Sequence, residues 1–131
     1  MMPHFFWQHP IWQKVLITAF YVTLALLTGL FLMPTELLPE DSIFAWWDKA
    51  QHALVFGFLA LLGLLAYPTK IKTIFWGLLI YGALIEVLQS LLGWRSGDVY
   101  DWCADTIGIV LAFSGALIVR MLFLSRYTMK S

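Results

Sequence analysis

Nine polar side chains stand out from a chain that is otherwise mostly apolar. Asp48, Lys49 and His52 open the second of four apolar stretches, Glu86 and Gln89 close the third, and Arg95, Asp98, Asp101 and Asp105 lead into the fourth. Carboxylates, an imidazole and two cations in this number can hold a cationic group, share protons or bind a divalent ion. Ionisable groups inside a bilayer cost roughly 2.5–3.5 kcal/mol each at a helix centre even on the lenient insertion scale, so they turn toward one another or toward a wet cavity. The nine residues are therefore read as one candidate ligand-binding site.

Each residue also has a plainer reading. Asp48 and His52 are four apart and share a helical face, where Asp48 is favoured near a helix amino terminus and Lys49 can snorkel to the interface. A lone histidine is more often satisfied by packing than by metal. Glu86 lies eight residues before Trp94, roughly 12 Å below the interface at 1.5 Å per residue, too deep for its short side chain to snorkel. It must be protonated or paired, with Lys49, Arg95 or His52 as candidate partners; Gln89 shares its face, and a purely structural interhelical bond is the alternative. Asp98 follows Ser96 and Gly97 and suits a helix cap. Asp101 and Asp105 are four apart, so their like charges call for a proton or a cation, and Arg95 could satisfy one of them.

Asp48, Glu86, Asp98, Asp101 and Asp105 outweigh Lys49 and Arg95, with His52 able to add a positive charge. That surplus keeps a divalent metal open as a minority option, with Glu86, Asp101 and Asp105 as candidate ligands. His52 and Glu86 are the candidates for general acid or base if chemistry occurs. No H-E-x-x-H, G-x-S-x-G or Walker loop is present, so no named catalytic machinery is visible.

The elements that must position these residues follow from composition. Of 131 residues, 61% are hydrophobic and 12% charged, which is a membrane composition, since charged residues make up about a quarter of a soluble domain. The expected architecture is all-α: one integral membrane domain over residues 1–131, with four transmembrane helices at about 15–33, 46–67, 73–92 and 101–124. The first span ends at Pro34 and the second at Pro68, where proline interrupts the helix. The first span lacks the small-residue cleavage site of a removable signal peptide. Leu37 to Trp47 mixes apolar and acidic residues and suits a short helix lying in the outer interface. Gly108 and Gly115, with Ala104, Ala112 and Ala116, form a small-residue face for close helix packing. A lone cysteine, Cys103, allows no internal disulfide, and a net charge of zero argues against a nucleic-acid partner.

Lys14, Lys70, Lys72, Arg120, Arg126 and Lys130 fall on one side of this layout. The positive-inside rule makes that side cytoplasmic, with both termini, in a bacterial inner membrane, and it turns the polar site outward. Trp7, Trp12 and Trp76 then fall at the inner boundary, and Trp46, Trp47, Trp94 and Trp102 at the outer one.

The D-K-x-x-H of Asp48, Lys49 and His52, the E-x-x-Q of Glu86 and Gln89, and the ordered run Arg95, Asp98, Asp101 and Gly108 resemble the VanZ-like family of small bacterial membrane proteins. The similarity covers the second to fourth spans. Asp105 stands where the family usually has asparagine, and Ala112 where a second glycine is common. The resemblance implies an envelope protein, with some members linked to lowered susceptibility to teicoplanin-type glycopeptides. The expected function is an outward-facing acidic pocket that binds a membrane lipid or a lipid-linked cell-wall precursor, in which Lys49 and Arg95 hold anionic oxygens while Glu86, Asp101 and Asp105 hold a cation. The rival expectations are an intramembrane enzyme acting on a lipid or isoprenoid phosphate, and a small proton- or ion-coupled transporter.

Overall fold

A computed structural model describes residues 10–37 and 45–128 of the chain. Helix α1 spans Pro10–Leu32, α2 Ala45–Ala66, α3 Ile71–Leu92 and α4 Val99–Thr128. All four are long and apolar enough to cross a bilayer, and the described residues contain no strand. The expected all-α fold of four membrane-spanning helices is the fold observed.

Local chemistry accounts for the helix ends. Pro10, the first described residue of α1, is already helical. The helix therefore includes at least the five residues before the expected start at Val15, and Lys14 lies within it rather than in a tail. Past Pro34, Thr35–Leu37 form one 3₁₀ turn, closed by Leu37 N–H donating to Pro34 O at 3.0 Å. The rest of the expected interfacial helix, residues 38–44, lies outside the described residues. Helix α2 stops two residues before Pro68. Helix α3 is ended by Gly93, whose φ of +78° is a left-handed conformation that glycine adopts without a Cβ clash.

Helices α2 and α3 each pack against the other three, whereas α1 and α4 do not meet. The α2–α4 pairing is the most intimate. A Cβ on Gly57 would stand 3.3 Å from Gly108 O, and one on Gly108 would run into the Ala53 carbonyl. Here two backbones touch, as small residues permit in a membrane, where helix association depends on close packing. Gly115, expected on the same face, has nothing within 4 Å of a Cβ and takes no part.

Phe20, Phe56, Leu59, Ile85 and Ile109 fill the space between the helices. Large apolar side chains such as Leu26, Leu54, Ile80 and Leu111 face outward from every helix. An apolar coat on all sides suits acyl chains rather than water. At one end of the bundle Gln13 Nε2 donates to Ala66 O and Tyr67 OH donates to Tyr21 OH at 3.3 Å, fastening α1 to α2. In the middle, Thr28 and Tyr81 join α1 to α3 through hydroxyls 2.9 Å apart.

Candidate functional site

The opposite end of the bundle gathers the amino ends of α2 and α4 and the carboxy ends of α1 and α3. Every one of the nine expected site residues lies there. They occupy three connected sets.

The outer set is built on Lys49 and the start of α4. Asp98 caps that helix: its Oδ1 accepts the Tyr100 N–H at 2.8 Å, and its carbonyl accepts the Asp101 N–H at 2.9 Å. Asp98 Oδ2 and Asp101 Oδ1 accept from Lys49 Nζ at 3.1 and 2.7 Å. The Tyr100 N–H first, and then Lys49, hold the Asp98 carboxyl below its ordinary range. The Lys49 ammonium also stands 5.9 Å from the centre of the Tyr100 ring. Asp48, in the first turn of α2, is half-buried beside this set. The helix-cap reading of Asp98 holds, and the cation neutralising Asp101 is Lys49 rather than Arg95.

The deep set comprises His52, Glu86 and Asp105, contributed by α2, α3 and α4, and all three are buried. His52 Nδ1 donates to Asp105 Oδ1 at 2.9 Å, and the imidazole stacks on Phe31 with ring centres 4.9 Å apart. Glu86 Oε2 accepts the Asp98 backbone N–H at 2.7 Å, tying the deep set to the outer one. Glu86 Oε1 and Asp105 Oδ2 are buried with no hydrogen-bond donor. Asp105 Oδ2 faces the backbone of α3 at Gly82, where a Cβ would stand 3.0 Å from it. One ligand atom from each of His52, Glu86 and Asp105 lies within 4.8 Å of the others. Asp48, His52 and Asp101 form a second group within the same 4.8 Å limit. The three carboxylates expected to hold a metal thus divide between two groups that share His52.

The third set closes the end of α1. The Phe31 carbonyl, left without an intrahelical partner near the helix terminus, accepts from Gln89 Nε2 at 2.9 Å and from Arg95 Nη1 at 3.1 Å. Trp94 Nε1 donates to Leu32 O at 3.3 Å. A guanidinium at this position also meets the negative end of the helix dipole. Gln89 and Arg95 therefore have a structural task, and among the described residues Arg95 makes no ion pair.

Phe31 and Gly82 were missed in the sequence. Gly82 is four residues before Glu86 and so shares its face, a signal that could have been read. Phe31 acts through its carbonyl and its ring, and neither role leaves a mark in a run of apolar residues. Trp102 differs from expectation: instead of lying flat at a boundary it is half-buried and donates through Nε1 to Leu79 O at 3.0 Å, inside the bundle. Trp12, Trp76 and Trp94 are exposed, as boundary rings should be. Trp7 and the side chains of Trp46 and Trp47 lie outside the described residues.

A family model described as VanZ/LLP1 matches residues 4–123. No curated protein and no solved structure matches the chain. With that match running almost end to end, the chain belongs to the VanZ/LLP1 family and is a multi-pass membrane protein of it.

Proposed function

We propose that this VanZ/LLP1-family protein uses the polar end of its bundle to bind the headgroup of an envelope lipid or lipid-linked cell-wall precursor. The observation that carries the reading is the pair of donorless oxygens, Glu86 Oε1 and Asp105 Oδ2. A buried acceptor without a donor costs about 1–3 kcal/mol, more when charged, so a site that keeps two of them is built for something that satisfies them. Their complement is a cationic or hydrogen-bond-donating group.

Lys49 and Arg95 have fewer N–H groups to offer an anionic oxygen than their sequence positions suggested, because Lys49 already serves two aspartates and Arg95 the Phe31 carbonyl. Recognition then falls chiefly to Glu86 and Asp105, with His52 orienting Asp105 and Gln89 and Arg95 holding α1 against them. The excess of basic residues at the other end of the bundle supports an inner-membrane orientation with both termini cytoplasmic and this site outward. In such an orientation, a change in glycopeptide susceptibility on expression follows from the ligand being a cell-wall precursor.

The test is lipid retention. Purified full-length protein in mild detergent, examined by native mass spectrometry, should carry a defined envelope lipid. Glu86→Gln and Asp105→Asn should lose it while still accumulating in the membrane and keeping their helicity. Equal retention by both variants overturns the reading.

A further inference from the structure

We propose that His52, Glu86 and Asp105 form a site for one divalent transition-metal ion, taking one imidazole nitrogen and two carboxylate oxygens as ligands. It deepens the binding reading above by naming the cation between protein and headgroup, and it rests on that reading only for what occupies the remaining coordination position.

Convergence is the first argument. The three residues come from three different helices, yet one ligand atom of each lies within 4.8 Å of the others. In a four-coordinate site with bonds of about 2.0–2.1 Å, ligand atoms stand about 3.3 Å apart, so an entering ion draws them in by about 1.5 Å at most. Side-chain rotation covers such a distance without moving a helix.

Burial and valence supply the second, independent argument. Asp105 is 1% exposed and Glu86 8% exposed, and each carries an oxygen that meets no donor. A purely structural hydrogen-bond network would leave neither. Two carboxylates with a neutral imidazole match the charge of one divalent ion. The other three-residue group, Asp48, His52 and Asp101, is the weaker choice. Its Asp101 is already bonded to the Lys49 ammonium at 2.7 Å, a fixed positive charge that repels an incoming cation.

Ligand chemistry narrows the ion. Magnesium and calcium favour all-oxygen surroundings, whereas imidazole with carboxylate suits zinc, manganese or ferrous iron. Three protein ligands leave a position open, as in sites where the ion meets water or substrate. An anionic oxygen of a lipid headgroup could take it. The residues around the site also limit its flexibility. His52 is held by Phe31 stacking and Glu86 by the Asp98 N–H, and Asp105 is bonded to His52.

The experiment uses the full-length chain, purified in detergent without a histidine tag, stripped with a chelator and freed of lipid. It is dialysed against micromolar Zn²⁺, and in parallel against Mg²⁺, and bound metal is counted by elemental mass spectrometry. The expected result is one Zn²⁺ per chain and no retained Mg²⁺. Glu86→Gln, Asp105→Asn and His52→Gln should each weaken Zn²⁺ at least tenfold, while Asp48→Asn retains it. Co²⁺ added to the unaltered protein should give the visible absorption of a four- or five-coordinate ion, a readout that does not require any variant to fold. Less than a tenth of an ion per chain with no Co²⁺ band overturns the proposal. So does metal lost in Asp48→Asn but kept in Glu86→Gln, or Mg²⁺ held as well as Zn²⁺. Because lipid is absent, failure here leaves the lipid-retention test standing, and failure of lipid retention leaves the metal count standing.

Discussion

A single methyl group added at Gly108 should do more damage than the same methyl added seven residues along the same helix. In Gly108→Ala the new Cβ meets the backbone carbonyl of Ala53 on α2, and in Gly115→Ala it meets nothing within 4 Å. Both substitutions gain about 0.8–1.0 kcal/mol of helix propensity. At Gly115 that gain stands alone. At Gly108 it is opposed by overpacking, typically about 1–3 kcal/mol and at the upper end here, because a carbonyl held in a helix cannot rotate aside as a side chain can. Gly108→Ala should therefore lose about 2 kcal/mol and Gly115→Ala gain about 1 kcal/mol, a separation of about 3 kcal/mol. The damage should reach the site, because His52 directly precedes Ala53 and its 2.9 Å bond to Asp105 bridges the same pair of helices. Reversible unfolding in mixed detergent and SDS micelles, followed by loss of helical circular dichroism, measures both variants. Equal shifts, or a stabilised Gly108→Ala, would refute the α2–α4 backbone contact on which the position of the site depends.

Three further outcomes follow. Gln89→Leu removes a donor from the Phe31 carbonyl and should cost about 1–2 kcal/mol in the same unfolding assay, with Arg95 left as a partial substitute. Gly82→Ala should destabilise relative to Gly77→Ala, since its Cβ would crowd Asp105 Oδ2 at 3.0 Å and Trp102 Cδ1 at 3.2 Å while that of Gly77 meets nothing within 4 Å; the two variants unfolding alike would remove the crowding argument. In a Cys103→Ser background, Ser96→Cys should react with a membrane-impermeant maleimide added outside intact spheroplasts and Thr69→Cys only after permeabilisation; the reverse pattern would invert the orientation.

The spans were legible because four apolar runs bounded by Pro34, Pro68 and Gly93 leave few other ways to fold in a bilayer. The amino-terminal part of α1 was not, because Pro10, a residue usually read as a breaker, is itself helical. Helical spacing put Asp48 and His52 on one face, and the two fall in one group with Asp101, whereas Asp101 and Asp105, also four apart, fall in two groups that share His52. Pairings between helices were beyond that reasoning. Whether Arg95 reaches an aspartate or a carbonyl depends on where the loop after Gly93 turns, and it reaches Phe31. Lys49, open to the snorkelling reading, ties two aspartates together, because the Asp98 cap brings the start of α4 beside it. Trp102 shows the same limit: position along the chain put it at a boundary, and the helix rotation turned its indole inward.

The central claim is that Glu86 and Asp105, from different helices, face one enclosed spot. A double-mutant cycle of Glu86→Gln and Asp105→Asn in the SDS unfolding assay tests it most directly. Two like charges within 4.8 Å of each other interact by about 3.5 kcal/mol or more at an effective dielectric constant near 20, before the neighbouring imidazole reduces it. The predicted result is a coupling of at least about 1 kcal/mol between the two substitutions. Additivity within about 0.5 kcal/mol would mean that each carboxylate keeps to its own surroundings, and the shared site would not exist.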